Sequence, residues 1–457
     1  MCFQIARMMF EKNSEKYGGI QRDLSCFNPG VQVRDICDIG FHPMQVDQVS
    51  TLWTAVSAVL VFLMVPAIGF LEAGLVRRRN VINGLMKGLL AVAVFLPIWF
   101  AVFPIYFGSV IKDGFYPTGD GVGIPMYIYA FFLGVFGAVT LALIFAGAPE
   151  RLKFSGWLLF AVFFSAVQWP LVASWMWGGG WLASLGDITG LAPGLGVRDF
   201  AGGTVVHAYA GLSGLIITML LGPSLRRYQL NGGVRVRAEF AYKEAVEAKR
   251  PELSLAIIGT SLLFFGWFGF NGGSTLVVSE QTGYAIANTA VAGSLGGFVA
   301  LLLSKAAERA WNPIMAISGV LGGLVMITPL AGFIEQALAF VAGVAAGVIT
   351  YYGIKIVERF YVIDDPVGSL PVHGFNGIVG SMLVPVLAHP EISGMRGLIY
   401  GGGFGFVAVQ WLGIVLALGF VAATTYVFVR LLLIKYRTTH EEEIVGLDAI
   451  DHKVDYV

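Results

Sequence analysis

Charge is scarce in this sequence. Only 13% of its 457 residues are Asp, Glu, Lys or Arg, where a soluble domain carries roughly 25%. The charge that is present balances, 29 basic against 29 acidic, so no basic surplus is offered to nucleic acid. Cysteine is scarcer still. Cys2, Cys26 and Cys37 all precede the first apolar stretch, which excludes a thiolate metal site or redox pair from the body of the chain. Cys26 and Cys37 could form a disulfide if that end is extracytoplasmic; the alternative is three unrelated thiols. The opening "MCFQIARMMF" lacks the uninterrupted apolar core of a signal peptide, because Arg7 breaks it.

Apolar sequence is what the chain has in excess: 56% of it is hydrophobic. Runs long enough to cross about 30 Å of hydrocarbon recur throughout. Eleven such segments are read at about 51–75, 81–110, 126–149, 154–177, 200–222, 253–275, 283–304, 313–334, 336–357, 371–388 and 397–434. The last is long enough to tilt strongly or extend past the bilayer. Sixty glycines suit helices that pack closely in lipid. The expectation is an all-α multi-pass membrane protein with eleven transmembrane helices. Residues 1–50 would be a polar extracytoplasmic tail, 51–434 the transmembrane domain, and 435–457 a cytoplasmic tail.

Basic residues orient it. With the N-terminus outside, the inner connections and C-terminal tail hold 20 Lys and Arg, and the outer connections hold only Lys112, Arg198 and Arg396. N-out and C-in follows. Lys87 lies inside the second segment. The inner connection 223–252 contains "RAEFAYKEAVEAKRPE", which reads as a short charged surface helix.

Inside segment five, His207 stands in "DFAGGTVVHAYAGLSG", a run otherwise small and apolar. A buried polar group is costly unless something satisfies or uses it. Segment ten repeats the pattern in "DPVGSLPVHGFNGIVG", with Asp365, His373, Gly377 and Gly380 matching Asp199, His207, Gly211 and Gly214. Both read D-x7-H-x3-G-x2-G. Five segments separate them, an odd number, so the second half enters the membrane in the opposite sense. This is the pattern of an inverted 5+5 repeat plus a long final helix, with a substrate site near the midplane where the halves meet. A lone histidine could simply bond a neighbouring carbonyl. Two at matched positions point to a shared role. Asp199 and Asp365, just before their helices, read first as helix caps, with a weak attraction for cations at the mouths also compatible.

These residues resemble the ammonium transporter (Amt/Mep/Rh) family. "EAGLVRRRNVINGLM", "MWGGGWLAS", "GWFGFNGGS" and "DDPVGSLPVHGFNGIVG" carry the resemblance, together with "EEEIVGLDAIDH" in the tail. It implies a homotrimer in the cell (plasma) membrane with one pore per subunit. It implies an outer cation site of Trp177, Phe136 and Ser274, a gate of Phe136 and Phe270, and a narrow pore lined by His207 and His373. Asp199 and Asp365 would be structural residues of the vestibules. Ammonium or ammonia would be the substrate, and a PII-type regulatory protein or signalling domain at the cytoplasmic face a partner. No catalytic residue, metal or cofactor is expected. Full desolvation of an ion carries an idealised cost of order 20 kcal/mol, so deprotonation near the gate and passage of ammonia is the economical route.

Two features depart from the family pattern, both on the cytoplasmic side. Gly368 stands where a third acid is usual, and the connection after segment five is rich in Arg, Lys and Glu. A different class is an ammonium sensor on the same scaffold, signalling through the C-terminal tail or a fused domain. The sequence ends at Val457 just after the tail motif, so transport is the expected activity. An intramembrane metalloenzyme built on the two histidines and an Asp finds no H-E-x-x-H helix or Cys/His cluster to support it.

Overall fold

The computed structural model describes residues 44–225, 227–231, 234–237, 252–360 and 362–454. Within them, each of the eleven apolar segments falls on a helix. Ten helical runs are long and apolar enough to cross a bilayer, and the eighth segment's helix, Pro313–Ile327, is shorter at 15 residues. The eleventh segment divides: its helix is Phe404–Leu431, and a separate turn at Leu398–Tyr400 precedes it.

Two small sheets amend the all-helical expectation. The strands β1 (Gln45–Val46), β2 (Phe115–Gly119) and β3 (Val122–Pro125) form a sheet in the order β1-β3-β2. The strands β4 (Tyr228–Asn231) and β5 (Val234–Arg237) pair antiparallel. Every strand lies outside the apolar segments, β1 before the first and the others in connections, as they must, because lipid offers no partner for an open sheet edge. The charged helix expected over 237–252 falls almost wholly outside the described residues, as do Cys2, Cys26 and Cys37.

The two repeat motifs meet. A Cβ placed on Gly211, four residues after His207, would collide with the backbone of Gly374, one residue after His373. Reciprocally, a Cβ on Gly377, four residues after His373, would sit 2.8 Å from the nitrogen of Ala208, one residue after His207. The next glycines extend the correspondence: Gly214 faces the carbonyl of Ile144 in segment three, and Gly380 that of Met326 in segment eight. Matched positions thus make matched contacts with segments five apart, as a pseudo-two-fold between the halves requires. Only hydrogen at these Cα atoms lets the backbones approach so closely.

The C-terminal tail is built into the end of the bundle. Thr439 caps a short helix, His440–Val445, through a capping box with Glu442. Gly446 then turns the chain at φ +98°, a region that glycine tolerates without strain, and packs against Arg79. The turn delivers Asp448 to the start of segment two, where its carboxylate accepts hydrogen bonds from the N–H groups of Ile82 (3.0 Å) and Asn83 (2.7 Å). Asp451 accepts from Phe154 N at the start of segment four, at 2.8 Å. Neither helix has a side-chain cap from its own N-cap residue, so the tail satisfies donors that the helices leave free. Glu443 accepts from Leu225 N (2.9 Å) and pairs with Arg437, which also donates to the carbonyls of Leu221 and Pro223.

Gly211→Val should destabilise the detergent-solubilised protein by at least the ~1–3 kcal/mol of an overpacked core. Gly283→Ala, whose added Cβ would meet nothing within 4 Å and which replaces a helical glycine, should leave the melting temperature unlowered or raise it slightly. Asp448→Ala should cost about 0.5–2 kcal/mol, the value of a lost N-cap. It should speed amide exchange at Ile82 and Asn83 while Phe154 keeps its protection.

Candidate functional site

Helical spacing collects the aromatic residues. Phe132 and Phe136 lie four apart on segment three, and Trp267, Phe270 and Ser274 at successive steps of three and four on segment six, so each set shares a face. The two faces meet where the rings of Phe136 and Phe270 stack, with centroids 4.0 Å apart and planes 18° from parallel. Both rings are buried. Trp177, at the end of segment four, stands edge-on to Phe136 at 6.0 Å. Its indole N–H donates to the carbonyl of Asp199 at 2.8 Å, which fixes the ring.

Above the stacked pair is a cavity of about 210 Å³ lined by Trp177, Phe136, Ser274, Phe132, Tyr116, Tyr129 and Phe200, among others. Ser274 Oγ donates its proton to Phe270 O at 2.8 Å, which leaves its oxygen lone pairs free to accept a hydrogen bond. A wall of ring faces with one hydroxyl acceptor attracts a small cation that carries N–H donors. The sequence reading named three of these residues. Tyr116 and Tyr129, stacked at 4.2 Å, went unnamed for different reasons: Tyr116 arrives on strand β2, a hairpin that nothing in the apolar pattern marks, and Tyr129 is one more aromatic residue of an apolar helix.

On the other side of the stacked pair lie the histidines. His207 is fully buried and His373 nearly so. His207 stacks on Trp267 at 5.2 Å and lies 5.8 Å from Phe270. The sequence motifs did not single out Trp267, although its place three residues before Phe270 is a legible signal. The Nδ1 atoms of His207 and His373 are 3.2 Å apart. Each imidazole is therefore bonded to the other through Nδ1.

Elementary proton counting gives the consequence. Two neutral imidazoles can share that contact only if one Nδ1 carries the hydrogen and the other presents its lone pair. The remaining nitrogens are then unlike: one Nε2 is an acceptor and the other an N–H donor. His207 Nε2 is buried and meets no hydrogen-bond partner among the described residues.

Both histidines sit in π-helical turns, Gly203–Ala208 and Leu370–Phe375. Asp199 accepts from four backbone N–H groups, those of Gly202, Gly203, Thr204 and Val205, at 2.7–2.9 Å. Asp365 accepts from Ser369 (2.9 Å) and Leu370 (2.7 Å). Both acids are helix caps, and neither ligates beside its histidine. Gly368 adopts φ +74°, a conformation in which an aspartate would be strained. Its place without a side chain is thus matched by its backbone. It lines a second cavity of about 450 Å³ with Arg227, Lys355, Asp364 and Asp365. Lys87, left unexplained by the sequence, is buried and donates to Leu152 O at 3.1 Å.

The chain matches the family described as Ammonium Transporter Family over residues 52–456. It is 34% identical to ammonium transporter Amt2 of Archaeoglobus fulgidus, across 88% of this chain and 87% of that one. It is 32% identical to ammonium transporter 1 of Dictyostelium discoideum, across 89% and 86%. Among solved structures it resembles a sensor Amt protein, with a TM-score of 0.72 and 26% identity over 89% of this chain and 98% of that one. It is equally like Candida albicans Mep2, with a TM-score of 0.73 and 25% identity over 87% and 88%. This multi-pass membrane protein belongs to the ammonium transporter family.

Proposed function

We propose that the protein carries ammonium-derived nitrogen across the plasma membrane through a pore within each subunit of a homotrimer, and that it performs no enzymatic reaction. The observation that carries this reading is the chain of contacts through the site: Phe136 lines the aromatic cavity and stacks on Phe270, Phe270 neighbours His207, and His207 bonds His373.

Ammonium is captured at the outer mouth in the cavity of Trp177, Phe136 and Ser274. Cation–π attraction contributes about 0.5–2 kcal/mol per desolvated ring, and Ser274 accepts one N–H. These terms fall far short of the idealised ~20 kcal/mol that full desolvation of the ion costs in an apolar passage. The ion therefore gives up its proton at the gate to water at the outer mouth, NH4+ becoming NH3 as the water takes up H+, and Phe136 and Phe270, stacked shut in this conformation, swing to admit ammonia. Ammonia both donates and accepts. It matches a pair of imidazoles that together present one donor and one acceptor. Potassium and sodium have no proton to lose, so the same step excludes them. The orientation is N-out and C-in, with the Asp365 cavity as the inner exit.

A second reading is a sensor on this scaffold. It is favoured by the likeness to a sensor Amt protein and by a tail that caps two helices of the bundle. A PII-type protein or signalling domain would then read the tail. Reconstitution separates the two: a transporter moves substrate in liposomes unaided, and a sensor binds it without flux.

In proteoliposomes, His207→Ala and His373→Ala should each lose methylammonium uptake or admit potassium; wild-type rate and selectivity in both would contradict the pore role. Trp177→Leu should raise the half-saturating ammonium concentration by about 2- to 30-fold, the loss of one cation–π contact of 0.5–2 kcal/mol. Leaving it unchanged would remove Trp177 from the recruitment site.

A further inference from the structure

The paired π-turns pose a problem that the pore reading does not address. A π-turn carries one residue more than the α-helix around it and is poorer in hydrogen bonds, so it persists only where something else holds it. If it relaxed to α-helix, the extra residue would rotate the side chains beyond it by about 100° around the axis. Each histidine would then leave its partner.

The carbonyl two residues before each histidine is held from outside its own ladder. In the first half, Trp169 Nε1 donates to Val205 O at 3.2 Å. Trp169 is fully buried on segment four, pinned edge-on against Phe95 and Trp99 at 5.4 and 5.2 Å. In the second half, Asn376 Nδ2 donates to Pro371 O at 3.0 Å, with a weaker contact to Val372 O at 3.3 Å. The same amide nitrogen donates to Thr350 Oγ1, at 2.9 Å, on segment nine. Asn376 and Thr350 are fully buried. Val205 and Pro371 occupy the same place in the repeat, and segments four and nine are themselves five apart.

We infer that Trp169 and the Asn376–Thr350 pair are positioning residues for the twin histidines, locking the two π-turns so that both Nδ1 atoms stay within hydrogen-bond range. The lock ties each histidine-bearing helix to the segment preceding it in its own half. It uses an indole directly in one half and a bridging amide in the other. The inference rests on the pore reading for its functional consequence, and on geometry alone for its structural one.

The test uses the full-length protein with Trp169→Phe, Asn376→Leu and Thr350→Val. The last keeps the branched shape of the side chain and removes the hydroxyl that accepts from Asn376 Nδ2. Structures of the variants are determined, and ammonium flux and potassium exclusion are measured per folded protein in liposomes, with His207→Ala alongside. The expected result is a π-turn relaxed toward α-helix in the altered half and an Nδ1–Nδ1 separation beyond hydrogen-bond range. Ammonium flux should fall about tenfold to a hundredfold, the range for groups displaced by ~1 Å, and potassium should leak. Both π-turns and the 3.2 Å contact surviving in all three variants would overturn the inference whatever the flux. So would lower yields with an unchanged rate and selectivity per molecule. A lost contact with normal flux, joined by normal flux in His207→Ala, would support the lock and overturn the pore reading instead.

Discussion

Two imidazoles joined through Nδ1 in an apolar bundle place demands on everything around them. Neither can reach water, and each would be costly to bury without a partner. Their mutual bond removes half of that cost and creates an asymmetric pair of outward nitrogens. To make the bond, two helices from opposite halves of the chain must approach almost backbone to backbone. That is why Gly211 and Gly377 face Gly374 and Ala208 across the crossing. The π-turns, the caps from Asp199 and Asp365 and the Trp267 stacking all serve to aim the same two rings.

The order of the site then follows from the energetics of a small cation. Aromatic faces and one hydroxyl suffice to attract ammonium where water is still near. They cannot carry it through an apolar constriction, where desolvation outweighs the available contacts severalfold. A gate of stacked rings followed by paired donor and acceptor nitrogens suits a neutral molecule. On the proposed route, selectivity is a matter of chemistry, the capacity to lose a proton, and less a matter of pore diameter.

Much of this was legible in the sequence because it is periodic or repeated. Apolar runs marked the long helices, and the shared D-x7-H-x3-G-x2-G pattern paired His207 with His373 from the sequence alone. The capping role of Asp199 and Asp365 was read from their position alone. What escaped was whatever depends on distant parts of the chain meeting. Tyr116 reaches the cavity on a hairpin that carries no apolar signature. Asp448 and Asp451 looked like members of an acidic tail, yet they cap helices that begin more than 290 positions earlier. Trp169 and Asn376 read as ordinary residues of apolar helices, since a π-turn leaves no mark in hydrophobic spacing. The small strands were missed for the same reason as Tyr116: short, half-polar and outside the bilayer, they have no run to detect.

On the proposed route a proton is lost at the gate, and this loss is the filter. The decisive experiment records purified wild-type protein in a lipid bilayer with ammonium on one side and potassium on the other, while nitrogen flux is followed in parallel. Proton loss at the gate predicts nitrogen flux in ammonium with no current carried by potassium at any concentration tested. A potassium current comparable to the ammonium flux would contradict it, because an ion that cannot shed a proton would then be crossing the same passage.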